Sequence, residues 1–314
     1  MAHIPDGFLS APVAATTLVT AGALTAYAAK RAQTRLDDRA APTLGLATAA
    51  IFAAQAVNFP VAAGTSGHLL GGVLVAVVFG PWAGYLVMTA VLIAQALLFA
   101  DGGLTALGAN VLNIAAAGAL VGYGIYRTLT ALAGDGARRR GLAAAAAAYL
   151  STVLTGATAG LELGLSGVAP TGLSLGAMAS VHALIGLPEG VITGLAVWAL
   201  ARKRADLLFQ PQAASTGGLT GAAVLAGLGV VAILGGLLSI LASAAPDGLE
   251  RVAIDLGFAE AASSWEAAPF SDYQAWLPGT AGTLVAIVLG IALLFAGVAA
   301  TARALARARA ARDG

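Results

Sequence analysis

Nine apolar runs separated by short polar breaks leave this chain few ways to fold. They lie at about 11–29, 42–57, 68–79, 81–100, 104–126, 142–165, 174–200, 219–244 and 280–301. Most approach the roughly 20 residues a helix needs to cross a hydrocarbon core. Lipid offers the backbone no hydrogen bonds, so such runs fold as helices that satisfy their own N–H and C=O groups. The chain is 59% hydrophobic and 10% charged, against about 25% charged in a soluble domain. An all-α polytopic membrane protein is expected. Run 68–79 is too short to cross upright. The polar stretch 58–67 before it is expected to fold into the bundle, because irregular backbone at membrane depth needs protein or a cavity around it. The first run is not read as a signal peptide: no basic region precedes it, and Lys30 and Arg31 follow it.

The basic residues orient these runs. If the N-terminus is external and the runs alternate, one side receives Lys30, Arg31, Arg35, Arg39, Arg127, Arg138, Arg139, Arg140, Arg202, Lys203, Arg204, Arg303, Arg307, Arg309 and Arg312. The other side receives Arg251 alone, so 15 of 16 basic residues lie together. Basic loops stay cytoplasmic, which puts the N-terminus outside a plasma (inner) membrane and the C-terminus inside. A net charge of +1 gives no reason to expect a nucleic-acid partner. Residues 1–204 read as one unit of seven runs. Residues 205–218, with Pro211 and a Ser/Thr/Gly stretch, read as an inner linker. Residues 219–314 read as two helices bracketing an external loop, Pro246 to Gly279. That loop carries Asp247, Glu250, Asp255, Glu260, Glu266 and Asp272 against Arg251. It could concentrate divalent cations, dock onto the first unit, or simply be solvated.

With 0 Cys and 3 His, a metal site must use nitrogen or oxygen donors. Met1-Ala2-His3 presents an amine and an imidazole within three residues. The amine, the intervening backbone nitrogens and the ring can wrap one cation in fused chelate rings, a planar set suited to Ni(II) or Cu(II). Taken alone, the tripeptide is more simply a polar residue near a frayed end. Within the runs, His182 and Glu189 are seven apart on one helix face with Pro188 interrupting regular helix between them, and are expected to form a structural or coupling pair. Glu162 reads as deep in its run, facing a partner or a cavity. Gln55 with Asn58, and Asn110 with Asn113, share faces at i, i+3 if helical. Asn58 is expected to orient a histidine, and the others to pack helices. There is no phosphate-binding loop, and the lysines are Lys30 and Lys203 only. Neither His-Glu-x-x-His nor a triad-like cluster occurs, so an enzyme is not expected.

The opening HIPDGFLS, the stretch NFPVAAGTSGHLLGG at 58–72 and HALIGLPEGVITG at 182–194 resemble the CbiM/NikM family, the substrate-specific membrane component of cobalt/nickel energy-coupling-factor (ECF) transporters. Pro246-Asp247-Gly248-Leu249-Glu250 resembles the small NikN-like accessory component, so the chain looks like a fusion of the two. The resemblance implies a bundle of about seven helices plus a two-helix unit, ATP-driven import of Ni(II) or Co(II), and a link to cobalamin biosynthesis. It implies as partners a CbiQ/NikQ-type coupling protein and CbiO/NikO-type ATPases, with no catalysis by this chain. It also implies a metal held by the terminal amine, the backbone nitrogen and ring of an N-terminal histidine, and the histidine of TSGH. Carried over, these are His3 and His68, with Thr65, Ser66 and Asn58 supporting them. Ala2 departs from the family's Met-His start. Loss of Met1 makes Ala2 the amine donor and gives His68 a role. Retention makes Met1 the donor and leaves His68 redundant or axial. Removal is the favoured reading, and nickel is slightly preferred to cobalt. The alternative function is an ion-coupled secondary transporter or channel using Glu162, His182 and Glu189.

Overall fold

Helix α1 (Ala11–Gln33) leads into α2 (Ala40–Gln55), a short antiparallel pair β1 (Phe59–Pro60) and β2 (Ser66–Gly67), and then α3 (Gly72–Phe79). In this computed structural model, residues 3–33, 40–62, 64–210 and 219–313 are described. Helix α4 (Pro81–Ala94) ends in a π-helical turn, Gln95–Phe99. Helix α5 (Leu107–Asn110), a π-helical stretch Val111–Val121 and α6 (Gly122–Ala133) run on as one span. Then come α7 (Ala137–Leu165), α8 (Thr171–Lys203), α9 (Gly221–Ile240), α10 (Gly248–Leu256) and α11 (Thr280–Asp313). Among the described residues seven helical spans are long and apolar enough to cross a membrane, with α2 an additional shorter apolar helix.

Run 68–79 does not form a crossing helix. Only Gly72–Phe79 is helical, about 12 Å at 1.5 Å per residue, and the preceding loop is buried at Thr65, Ser66, His68 and Leu70. Gly80 turns the chain from α3 into α4 with a φ of 87°, in the region where L side chains are strained. The Phe209 ring packs against it, so close that a β-carbon there would lie 2.6 Å from the ring. The Phe209 N–H donates to the carbonyl of Val77 at 2.9 Å.

Helices α7 and α8 approach closely because glycine faces the partner at Gly156 and Gly160. A β-carbon on Gly156 would lie 2.5 Å from the His182 ring, and one on Gly160 would lie 2.5 Å from the Ser174 carbonyl. In lipid, where apolar side chains gain little by leaving their surroundings, such approach is a main source of helix association. Gly156→Ala is therefore expected to cost about 1–3 kcal/mol through overpacking and to lower the thermal unfolding midpoint in detergent by several degrees. An unchanged midpoint would mean that the two helices do not meet there. Helix α8 is continuous across Pro188, against the expected break. A proline removes one N–H and crowds one turn, a defect that neighbouring helices absorb in a membrane bundle.

Two further departures come from local sequence. Helix α11 runs past residue 301 through an Ala/Arg-rich tail, since Ala, Arg and Leu are strong helix formers with or without lipid. Inside the loop expected between α9 and α11 lies α10, opened by a capping box: Asp247 accepts from the Glu250 N–H at 2.8 Å and Glu250 reaches back to the Asp247 N–H. The Asp-x-x-Glu spacing of PDGLE is thus a helix start. It buries Leu249, Val252 and Ala253 and sets Gly248 against Val181 and Ile185 of α8.

The loops at one end of the bundle interlock. The Ser263 N–H donates to the Asp6 carbonyl, the Ser66 N–H to the Pro246 carbonyl, the Ser243 N–H to the Asn58 carbonyl and the Phe270 N–H to the Leu98 carbonyl. At the opposite end, Gln33 donates to the Leu305 carbonyl and the Leu219 N–H to Thr43 Oγ1.

Candidate metal centre

The N-terminal segment is fixed from residue 3 onward, with its first described side chain pointing inward. Ile4 is fully buried, and the Asn110 amide clamps its backbone, accepting from the Ile4 N–H at 2.7 Å and donating to the Ile4 carbonyl at 3.0 Å. The Gly103 N–H also donates to that carbonyl, at 2.8 Å. The Asp6 carboxylate accepts from the N–H groups of Leu104 and Thr105 and from the Thr105 hydroxyl. The approach demands glycine, because a β-carbon on Gly103 would lie 2.3 Å from the Asp6 nitrogen. Phe8 meets Phe258 edge to face at 5.0 Å, so the C-terminal part of the chain holds the same segment.

This anchoring places His3 beside His68, with ring centroids 5.0 Å apart and planes tilted by 51°. His3 Nδ1–H donates to Asp101 Oδ1 at 2.6 Å, and His68 Nδ1–H to the Leu69 carbonyl at 2.9 Å. In both rings Nε2 is buried and has no hydrogen-bond partner among the described residues. Buried polar atoms are nearly always bonded, so two adjacent orphaned imidazole nitrogens indicate a ligand. Burial, and then the neighbouring His3, hold the His68 pKa well below its ordinary value, which keeps the ring neutral as a metal donor requires.

A second layer holds the first. Asp101 Oδ2 accepts the Tyr273 hydroxyl at 2.6 Å, and Gln95 Nε2 reaches both Asp101 Oδ2 and the Tyr273 oxygen. Burial would raise the Asp101 carboxyl, but His3, His68 and the Tyr273 phenol together outweigh it and hold the group well below the usual carboxylate range. Burial and then the Asp101 charge push the Tyr273 phenol well above its ordinary value, so it remains a donor. Glu189 supports the other histidine from below: its carboxylate accepts the N–H groups of Leu70 and Gly71 at 2.7 and 2.9 Å, fixing the chain between His68 and α3.

The expected residues divide accordingly. His3 and His68 come together. Met1 and Ala2, the alternative amine donors, lie outside the described residues. His182 and Glu189 do not pair: seven residues are two helical turns, about 10 Å along the axis, and His182 Nδ1–H donates instead to the Met178 carbonyl at 2.8 Å. Asn58 orients neither histidine. It lies beyond the end of α2, so it shares no helix face with Gln55, and its Oδ1 has no partner. Ser66 Oγ donates to the Ala245 carbonyl and Thr65 to the Ala62 carbonyl, so both shape the loop and touch no ring. Glu162 sits in the last turn of α7 rather than deep within it, accepting from Asn113. Asp101, Tyr273 and the clamp made by Asn110 were not anticipated. The one available signal was a lone acid followed by Gly102 and Gly103 between two apolar runs.

Known proteins match the chain along most of its length. A family model for the cobalt uptake substrate-specific transmembrane region, CbiM, matches residues 3–207, and one for the PDGLE domain matches residues 221–307. The chain is 37% identical over 299 residues to a putative fused nickel transport protein NikMN of Archaeoglobus fulgidus, covering 94% of this chain and 96% of that protein. It is 31% identical to the fused nickel transport protein NikMN of Rhodobacter capsulatus, covering 97% and 99%. It is 39% identical over 184 residues to a cobalt transport protein CbiM of Sorangium cellulosum, covering 57% and 80%. A crystal structure of a truncated transition metal transporter superposes with a TM-score of 0.58 at 33% identity, covering 64% of this chain and 98% of that one.

Proposed function

Because the chain belongs to the CbiM family of cobalt-uptake substrate-specific membrane proteins, and is thus a multi-pass cobalt or nickel transport protein with a PDGLE domain behind it, we propose that it captures Ni(II) or Co(II) at the outer face through its own N-terminus. The observation that carries this reading is the buried His68 imidazole, whose Nε2 has no partner among the described residues, set against the buried His3 ring with 5.0 Å between ring centres. Among the described residues no group of three or more His, Asp or Glu side chains could hold a metal ion. The two imidazoles therefore need further donors, which the terminal amine of Ala2, freed by loss of Met1, and the backbone nitrogen of His3 supply. Closing a six-membered chelate ring through that backbone nitrogen requires His3 Nδ1. A half-turn of the ring about Cβ–Cγ frees Nδ1 for the metal and brings Nε2–H within about a bond length of the position facing Asp101. Asp101 then holds the ring in its liganded orientation, as outer carboxylates do for metal-binding histidines.

The phenol of Tyr273 supports that carboxylate, and outer partners of this kind are worth about 10–100-fold in metal affinity. Tyr273→Phe keeps the ring stacked on Phe99 at 4.9 Å and removes only the hydroxyl. Calorimetry is expected to show a tenfold or greater weakening of nickel binding. An unchanged affinity would separate Tyr273 from the site.

Transport against a gradient draws on other chains: a CbiQ/NikQ-type coupling protein and CbiO/NikO-type ATPases, with no ATP hydrolysis here. The outer placement of the N-terminus follows from charge. The interlocked loops around His3 and His68 carry Arg251, while the Arg-rich ends of α8 and α11 lie at the other end, and basic segments stay cytoplasmic. The reading as a secondary transporter finds no support in geometry, since Glu162, His182 and Glu189 each bond to a different element. In liposomes, ATP-dependent metal uptake is expected only when partner subunits accompany this chain. Uptake by the chain alone, driven by a proton gradient, would replace this reading with the secondary transporter.

A further inference from the structure

Beside His68 lies a cavity of about 210 Å³, lined among others by Gln55, Asn58, His68, Asp101, Asp272 and Tyr273. We propose that this cavity is a capture chamber that takes the divalent cation with its water shell intact, before any nitrogen donor replaces a water. The inference rests on the proposed capture function and adds the step that precedes it.

The volume fits such an occupant. At about 10–15 Å³ of such cavity volume per water, six waters around one small cation are accommodated with room to spare. A bare ion would leave most of the chamber empty.

The polar lining fits as well. A hydrated cation turns only O–H donors outward and carries positive charge, so its complement is a wall of acceptors. Gln55 is 2% exposed, and its Nε2 is committed to the Leu70 carbonyl at 2.8 Å, yet its Oε1 has no partner. Asn58 Oδ1 is also buried and unpartnered. The exposed carboxylate of Asp272 joins these two amide oxygens as an acceptor, and Asp101 and Asp247 add negative charge to the wall. No lysine or arginine lines the space, so an anion would meet acceptors and like charge. His68 lies on the same wall, its Nε2 unpartnered, so the chamber adjoins the atom that would take the first vacated coordination position.

This division separates two kinds of selectivity. The oxygen wall recognises charge and hydrated size, which Mg(II), Co(II) and Ni(II) share. The nitrogen donors then accept only a cation that exchanges water for nitrogen, which Mg(II) does reluctantly. It also assigns a task to the acidic loop, which supplies Asp247 and Asp272, while the first part of the chain supplies Gln55 and Asn58.

The test uses hexaamminecobalt(III), whose six ammonia ligands present outward N–H donors and do not exchange, so it can occupy the chamber but cannot bind through His3, His68 or the amine. The full chain in detergent is expected to bind it, to bind it equally well with an acetylated N-terminus, and to take up nickel more slowly in its presence. Gln55→Leu and Asp272→Asn are each expected to weaken hexaammine binding at least tenfold and to slow nickel association in stopped flow by a similar factor, with the equilibrium nickel affinity of the nitrogen site unchanged. Asp272 is exposed, so its variant tests the idea even if Gln55→Leu does not fold. Absence of hexaammine binding, or nickel association unaltered in Asp272→Asn, overturns the chamber. Tight nickel binding by the acetylated chain would instead overturn the nitrogen site, a separate result.

Discussion

A chain whose amino terminus is acetylated is expected to fold normally and to lose tight nickel binding, by a factor on the order of 10² or more, equivalent to about 3 kcal/mol. The reason is specific to a chain end. Acetylation removes the amine lone pair, and with it one of the fused rings that preorganise the remaining donors. The fold is insensitive to acetylation because the N-terminal segment is held to the bundle at His3 and Ile4, by Asp101 and Asn110. Calorimetry on chains released from a cleavable leader, with and without the added group, measures the difference. Tight binding by the blocked protein would remove the amine from the site.

Replacing His68 is expected to cost far more affinity than replacing His182, although the two residues are alike in isolation. Both are buried, at 4% and 0% exposure, both donate Nδ1–H to a carbonyl, and both have an unpartnered Nε2. The substitutions therefore perturb stability comparably, and stability cannot explain a difference in binding. What separates them is the neighbour. His68 faces His3, whereas His182 lies between Gly156 of α7 and Gly248 of the PDGLE turn. His68→Ala removes one of four donors and should weaken nickel binding about 10²-fold or more. His182→Ala should change it by less than a few-fold. Equal losses in calorimetry would place the metal elsewhere.

Much of the fold was legible because lipid narrows the choices: a long apolar run can hardly be other than a helix, and loop charge sets the order of sides. Helix ends were less so. α11 continues on Ala and Arg propensity after the apolar signal stops, and α10 is announced only by a four-residue capping pattern inside a polar loop. At the site, His3 and His68 could be paired because histidine is scarce here and the motifs are distinctive. Their supports could not. Asp101 and Tyr273 are 172 residues apart, and nothing local distinguishes this aspartate from a solvated one. Asn110 was read as a helix-packing group because its partner is a backbone, that of Ile4, and backbone has no sequence signature. The supposed pair His182 and Glu189 failed for the opposite reason: periodicity reports which face a residue is on, not how far along the helix it lies.

The pinning of Phe209 beneath Gly80 bears on how tightly the outer loops must grip. With Leu219 tied to Thr43 and α9 and α11 packed against α2, the covalent link between the two parts joins points that are already close. A short tether holds its cargo at an effective concentration in the millimolar range. Contacts such as Ser263 on Asp6 or Phe258 on Phe8 then need only modest individual strength to stay closed most of the time. Two separate polypeptides would need a far larger interface to keep the acidic loop beside His68.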